Sequence, residues 1–282
     1  MSDTKLQYGL SMIELLIALA ISSFLILGIT QVYIDNQRHY LFQQSQSGNL
    51  DSGRFAALLL DQYLGKAGYR RTPSSLQEMA FPERAASGGC MAFSAGASVT
   101  GLEASQGTGF CVRYQPQVSA ELDCQGVASS TVFTQAFPPN LTADDLIVLA
   151  FKYEPGASTE LQNGRLLCKS LNAATPQFTE QLTGIADMRV DFGIGSTDVL
   201  SKEITSFVPQ NAWATGSGEI RSVRYSLLLA SRTGQRDSDD SKILTDWLAV
   251  APAATKTRLE SGDNKRIYQV VGSTQNVRNL MP

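Results

Sequence analysis

From Leu15 to Ile34 the chain reads LLIALAISSFLILGITQVYI, twenty consecutive residues without a charge. An α-helix rises about 1.5 Å per residue, so this run spans roughly 30 Å, the hydrocarbon thickness of a bilayer. Ser22, Ser23, Thr30 and Gln31 lower its hydropathy, but serine and threonine hydroxyls bond back to helix carbonyls at little cost. A cleaved secretory signal would need a basic start and a small-residue cleavage site behind a short apolar core. Here the leading MSDTKLQYG carries one lysine and one aspartate, and the run continues without a breaker into IDNQRHYLFQQSQ. The pattern predicts a retained membrane helix.

Glu14 stands inside the apolar segment that opens at Leu10, and Lys5 is too far away to be a fixed helical partner. A carboxylate on a membrane helix is costly, so it either serves a function with a partner or reaches water at the membrane edge. Beyond the apolar run, Asp35 to about Gly65 is polar yet compatible with helix and free of proline. Phe55, Leu58, Leu59 and Gln62–Tyr63 fall at spacings that predict an apolar stripe packed on a core, while Gly48 and Gly53 weaken a regular helix there. One long helix is expected from about Leu10 to Leu64.

After Gly68 the pattern changes. RRTPSSLQEMAFPERAASGGC reads as loop. Strand-like runs follow at 109–115, 131–137, 146–153, 165–170, 188–192, 222–231 and 266–273. Leu227–Leu229 is wholly apolar, as a strand crossing a core would be. One long helix followed by short strands argues for an α+β fold with an antiparallel sheet.

Composition removes several chemistries. The 282 residues are 43% hydrophobic and 17% charged, with 23 Lys and Arg against 26 Asp and Glu. A formal charge of −3 gives no general case for nucleic-acid binding. The one histidine, His39, leaves little room for a histidine metal site or a Ser-His-Asp triad. Arg236–Lys242 has calcium-like carboxylate spacing but lacks the glycine and distal glutamate of a regular loop, so a solvated loop is the better reading. Asp144-Asp145 reads as a cap, and Gly193-Ile194-Gly195 lacks the Lys-Ser/Thr of a phosphate loop. No nucleophile, base and oxyanion hole assemble, so neither an enzyme nor a cofactor is expected.

The run Gly9-Leu10-Ser11-Met12-Ile13-Glu14-Leu15-Leu16 resembles the prepilin motif of type IV pilins and type II secretion pseudopilins. In that family a short leader ends in glycine, an apolar residue follows, and glutamate stands fifth in the mature chain. Leu10 stands where Phe or Met is more usual. The resemblance implies cleavage after Gly9 by a prepilin peptidase, methylation of the Leu10 amine, and attraction of the Glu14 carboxylate to the N-terminal amine of a neighbouring subunit. Leu182–Gly193, Ile220–Ser231 and Lys265–Tyr268 with Val277-Arg278-Asn279 further resemble blocks of PilW-type minor pilins, in the family's order.

That resemblance implies a pilin-like α+β fold: leader 1–9, a membrane-spanning half-helix 10–34, a periplasmic half-helix 35–65, and a β-rich periplasmic domain 66–282. It implies a subunit that helps initiate pilus assembly with other minor pilins and the major pilin, residing at the pilus tip and presenting an adhesin there. Two further readings stand beside it. One is a type II secretion minor pseudopilin, and the other a membrane-anchored periplasmic enzyme or receptor. The periplasm is oxidising. Four cysteines there allow three pairings. Cys124 and Cys168 resemble family positions on neighbouring strands, which implies Cys124–Cys168 and leaves Cys90–Cys111.

Overall fold

The structure, a computed structural model, describes residues 11–137, 141–198, 201 and 203–280. The chain divides into two compact units, Met1–Ser45 and Gln46–Pro282. Helix α1, Met12–Lys66, is 55 residues long. Its N-terminal portion makes up the described part of the first unit, and its C-terminal turns belong to the second.

The second unit holds two antiparallel sheets. The first has five strands in the order β1 (Val99–Gly101), β2 (Gly109–Tyr114), β3 (Ile147–Glu154), β4 (Arg165–Ser170) and β5 (Thr179–Thr183). Gly184, at φ 102°, leads directly into β6 (Ile185–Gly195), where the second sheet begins. That sheet is ordered β7 (Ser206–Pro209), β6, β8 (Glu219–Gly234) and β9 (Arg266–Asn276). Three short helices complete the unit: α2 (Gln77–Ala80), α3 (Lys242–Ala249) and α4 (Ala253–Gly262).

Alternation sorts the side chains. On β3, Ile147, Leu149, Phe151 and Tyr153 join the main core with Leu60, Tyr63 and Leu64 of α1, while Val148 and Ala150 join Phe81 and Phe93 on the opposite face. On β8, Tyr225, Leu227 and Leu229 enter the main core and Leu228 and Ala230 meet Trp247 and Leu259. Both strands are covered on two faces, which is why their sequences read as nearly unbroken apolar runs.

The buried face of α1 differs from the stripe expected. Asn49, Gly53, Ala56, Leu60, Tyr63 and Leu64 are buried, whereas Phe55 is 49% and Leu58 70% exposed. The spacing of three and four is as expected, but the face is rotated toward small residues that let the helix come close to β8 and β9. The helix is also unbroken through Gly48 and Gly53. Residues 131–137 form no strand. Their start is bonded across to a neighbouring loop instead, with Ala120 N–H donating to Thr131 O and Phe133 N–H to Ser119 Oγ. Strands β1, β5 and β7 and the helices α3 and α4 fall in stretches where no element was expected, and α2 gives one short turn of helix inside the stretch expected to be loop.

Candidate functional site

Gly9 and Leu10, the expected processing residues, lie outside the described residues. Glu14 lies in the first turn of α1. Its Oε2 accepts the Ser11 backbone N–H at 3.0 Å, and Ser11 Oγ accepts the Ile13 N–H at 3.3 Å. Two donors that the first helical turn cannot satisfy thus find side-chain oxygens, in a variant of the capping box in which the Ser11 hydroxyl takes the Ile13 amide in place of that of Glu14. The sequence Ser11-x-x-Glu14 encodes it.

From Glu14 to residue 44 the helix is uncovered. In its most apolar window no residue is buried, and Leu16, Phe24, Leu27 and Ile29 are exposed. The polar side chains in this stretch turn inward on the helix itself. Ser22 Oγ donates to Ala18 O, Ser23 Oγ to Ala20 O and Thr30 Oγ1 to Ile26 O, each at 2.7 Å. What the helix offers its surroundings is therefore an apolar cylinder with one carboxylate near its start. His39 follows, exposed on the same helix.

In the second unit two disulfides tie loops to the first sheet. Cys90 is bonded to Cys111 on β2 and Cys124 to Cys168 on β4, across 21 and 44 residues. The loop carrying Cys124 is held again at the end of α1, where Lys66 Nζ pairs with Glu121 Oε1 at 2.6 Å above the rings of Tyr63 and Tyr114. Burial, with the charges of Asp123 and Glu121, pushes the Tyr63 hydroxyl up to about 12.

Buried charges serve as structural clamps. Arg113, 1% exposed, donates to the carbonyls of Ala97, Pro82, Phe81 and Ser94, which gathers the irregular segment 81–97 onto β2. On β6, Asp187 accepts from Trp247 Nε1 at 2.8 Å and Arg258 Nη2 at 2.9 Å, fastening α3 and α4 to the second sheet. Burial raises the Asp187 carboxyl above its usual range, against the Trp247 hydrogen bond and the Arg258 charge. Sequence reading missed this network. Its signal was Asp187-x-Arg189-x-Asp191, three charges on one face of an otherwise apolar strand.

The acidic stretch after Arg236 is an exposed loop, with salt bridges at its edges. Arg236 pairs with Asp263 at 2.7 Å and Lys265 with Asp239 at 3.0 Å. Asp145 closes a capping box with Thr142. Gly193-Ile194-Gly195 lies within β6.

Two family models match parts of the chain. Residues 155–279 match the family described as type IV pilus-assembly protein W. Residues 4–30 match the prokaryotic N-terminal methylation motif. Comparison with curated proteins gives no match. Among solved structures, a type IV-like pilin from Thermus thermophilus aligns over 84% of this chain and 99% of its own, at 13% identity and a TM-score of 0.38. The chain is thus similar to the type IV pilus-assembly protein W family over a segment that holds β6, β8 and β9, and its long apolar helix carries the prokaryotic N-terminal methylation motif.

Proposed function

We propose that the chain is a minor pilin that takes part in initiating type IV pilus assembly and resides at the pilus tip. In this reading it is cut after Gly9, methylated on Leu10, and held in the inner membrane by residues 10–34 with residues 35–282 in the periplasm. It then joins other minor pilins, and the major pilin is added beneath them. The tip position would let it present an adhesin.

The observation that carries this reading is the uncovered apolar helix with Glu14 one turn from its start. An apolar cylinder of this length is satisfied by lipid and equally by neighbouring helices of the same kind. Charge decides between them. An unpaired carboxylate is costly in hydrocarbon, and the cationic amine of a neighbouring subunit would offset that cost. Desolvation of both ions makes the pair a device that sets register more than one that adds net stability. The chain's part is mechanical and needs no reaction.

Mass spectrometry of the protein taken from membranes and from sheared fibres tests the proposal. The expected mature chain begins at methylated Leu10 and leaves the cell surface with the fibre fraction. A chain that begins at Met1, or that stays wholly with the membranes of piliated cells, sinks it.

A further inference from the structure

Strand β9 is an edge of the second sheet. It pairs with β8 and has no strand on its other side among the described residues. In an antiparallel ladder every second residue turns both its N–H and its C=O toward the neighbour, and the residues between turn theirs away. The Val277 N–H donates to Arg221 O at 2.8 Å, which sets the phase. The register then runs unbroken from Asn276, opposite Ser222, to Tyr268, opposite Ala230. Val271, Ser273 and Gln275 therefore face β8, while Val270, Gly272, Thr274 and Asn276 face outward. Those four are exposed, Val270 to 47%. Their main-chain groups make no hydrogen bond to a loop among the described residues.

Long open edges are usually guarded by charges, prolines, bulges or a covering element. The other edges of the two sheets are blunted in this way. Strands β1 and β7 are three and four residues long, β7 ends at Pro209, and β5 carries Glu180. From Ile267 to Val277, by contrast, IYQVVGSTQNV holds no charged residue and no proline. The irregularity in the β8–β9 ladder lies beyond Ala230, outside the outward-facing stretch. An edge that is exposed, uncharged and unpaired calls for a ligand with its own main-chain donors and acceptors, which is an extended polypeptide.

The direction of the strand bears on its occupant. Helix α1 runs along β9 the same way. Asn49 Nδ2 donates to Ile267 O at 3.4 Å near the start, and Gly53 lies against Val271. Just past the end of β9, Asn279 Nδ2 reaches Gly65 O and Ala67 O at 3.1 and 3.0 Å. Antiparallel pairing with the β9 of a second copy would turn that copy's helix end for end, which two subunits inserted in one membrane do not permit. The strand then comes from a different protein. Opposite an uncharged stretch an ion would lose water without gaining a partner, and Val270 and Thr274 pair best with apolar and β-branched neighbours.

We propose that β9 takes an uncharged extended segment of a different protein, added antiparallel along Val270–Asn276 as a fifth strand of the second sheet. Only the exclusion of a second copy rests on the membrane-held reading of the chain. The open edge does not, so a mature chain that begins at Met1 would sink that reading and leave this one standing.

The test uses the full chain in detergent micelles and a displayed library of random eight-residue peptides, with amide exchange followed residue by residue. In the free chain the outward Gly272, Thr274 and Asn276 amides should exchange at least a hundredfold faster than the inward Val271, Ser273 and Gln275 amides. Enriched peptides should be uncharged and rich in β-branched residues, and should slow the outward amides at least tenfold. N-methyl groups on alternate peptide residues should weaken binding at least tenfold. Thr274→Pro removes an outward donor and leaves the β8 ladder its bonds, so it should weaken binding at least fivefold. The methylated peptides read the same contact without altering the protein. Outward amides already as slow as the inward ones in the dilute free chain overturn the proposal. So does a library that enriches only charged peptides or nothing that slows those amides, and so does binding indifferent to N-methylation. Protection that grows with protein concentration in the absence of peptide makes the occupant a second copy and overturns it as well.

Discussion

A Cβ built on Gly53 of α1 would stand 2.6 Å from Val271 Cγ2 of β9 and 2.8 Å from Leu229 Cδ1 of β8. The helix and the second sheet thus meet so closely that any side chain at this position must push Val271 and Leu229 aside. Gly53→Ala should cost about 1–3 kcal/mol, the usual range for an overpacked core. Urea unfolding of the single variant, and of the same variant with Val271→Ala, measures it. The second change opens the space and should restore part of the loss.

Arg113 holds four carbonyls of the 81–97 segment from a fully buried position. Arg113→Met removes those donors without leaving a large void. The unmet carbonyls should cost roughly 3–5 kcal/mol, as when one partner of a buried polar network is removed. The expected result is a lower denaturation midpoint with faster amide exchange confined to residues 81–97.

The disulfides close loops of 21 and 44 residues. Cross-links of this span stabilise by about 2–4 kcal/mol, chiefly by restricting the unfolded chain. Cys124→Ser with Cys168→Ser should lower the thermal midpoint and loosen the loop that presents Val118, Leu122 and Val132. Thiol labelling before and after reduction, on the native and the doubly substituted chain, gives four and two reactive sulfurs respectively once reduced.

Tyr63 supplies a pH dependence. Its folded value is pushed up to about 12, above the ordinary value of 10.0, chiefly by burial. The folded state therefore favours the neutral phenol. That contribution is complete below the ordinary value and is lost as pH rises from there through the folded value. Stability should fall over this alkaline window, and Tyr63→Phe should remove its share of the fall, leaving that of Tyr114, Tyr153, Tyr225 and Tyr268, which burial also raises. Melting curves paired with phenolate absorbance check both.

Glu14→Ala removes the acceptor of the Ser11 N–H together with the carboxylate proposed to meet a neighbouring amine. Membrane insertion should be unchanged, because the apolar run is intact. Recovery with other pilins should drop several-fold in co-purification from detergent extracts. Equal recovery would remove Glu14 from assembly.

The legible parts of the fold were those where apolar content and burial coincide. The long helix, β3 and β8 were readable because their sequences carry sustained apolar runs. The buried face of α1 was not, because Gly53 and Ala56 bury by closeness and contribute little apolar bulk to a periodicity. Strand β5, TEQLT, and β7, SFVP, are exposed edges whose pairing is set by neighbours far along the chain. Helix α3 is eight residues long, too short for its Leu244 and Trp247 to stand out as a period. The Asp187 network needed the tertiary meeting of β6 with α3 and α4. By contrast, Ser11-x-x-Glu14 is a local device, and its side-chain geometry follows from four consecutive residues.

That device leaves most of the acid unused. The Ser11 N–H bonds to Oε2 alone, and an ionised carboxylate has about four acceptor sites over its two oxygens. A cation arriving at Glu14 therefore adds to the cap and does not displace it, so the start of the rod keeps its shape whether or not the charge is met.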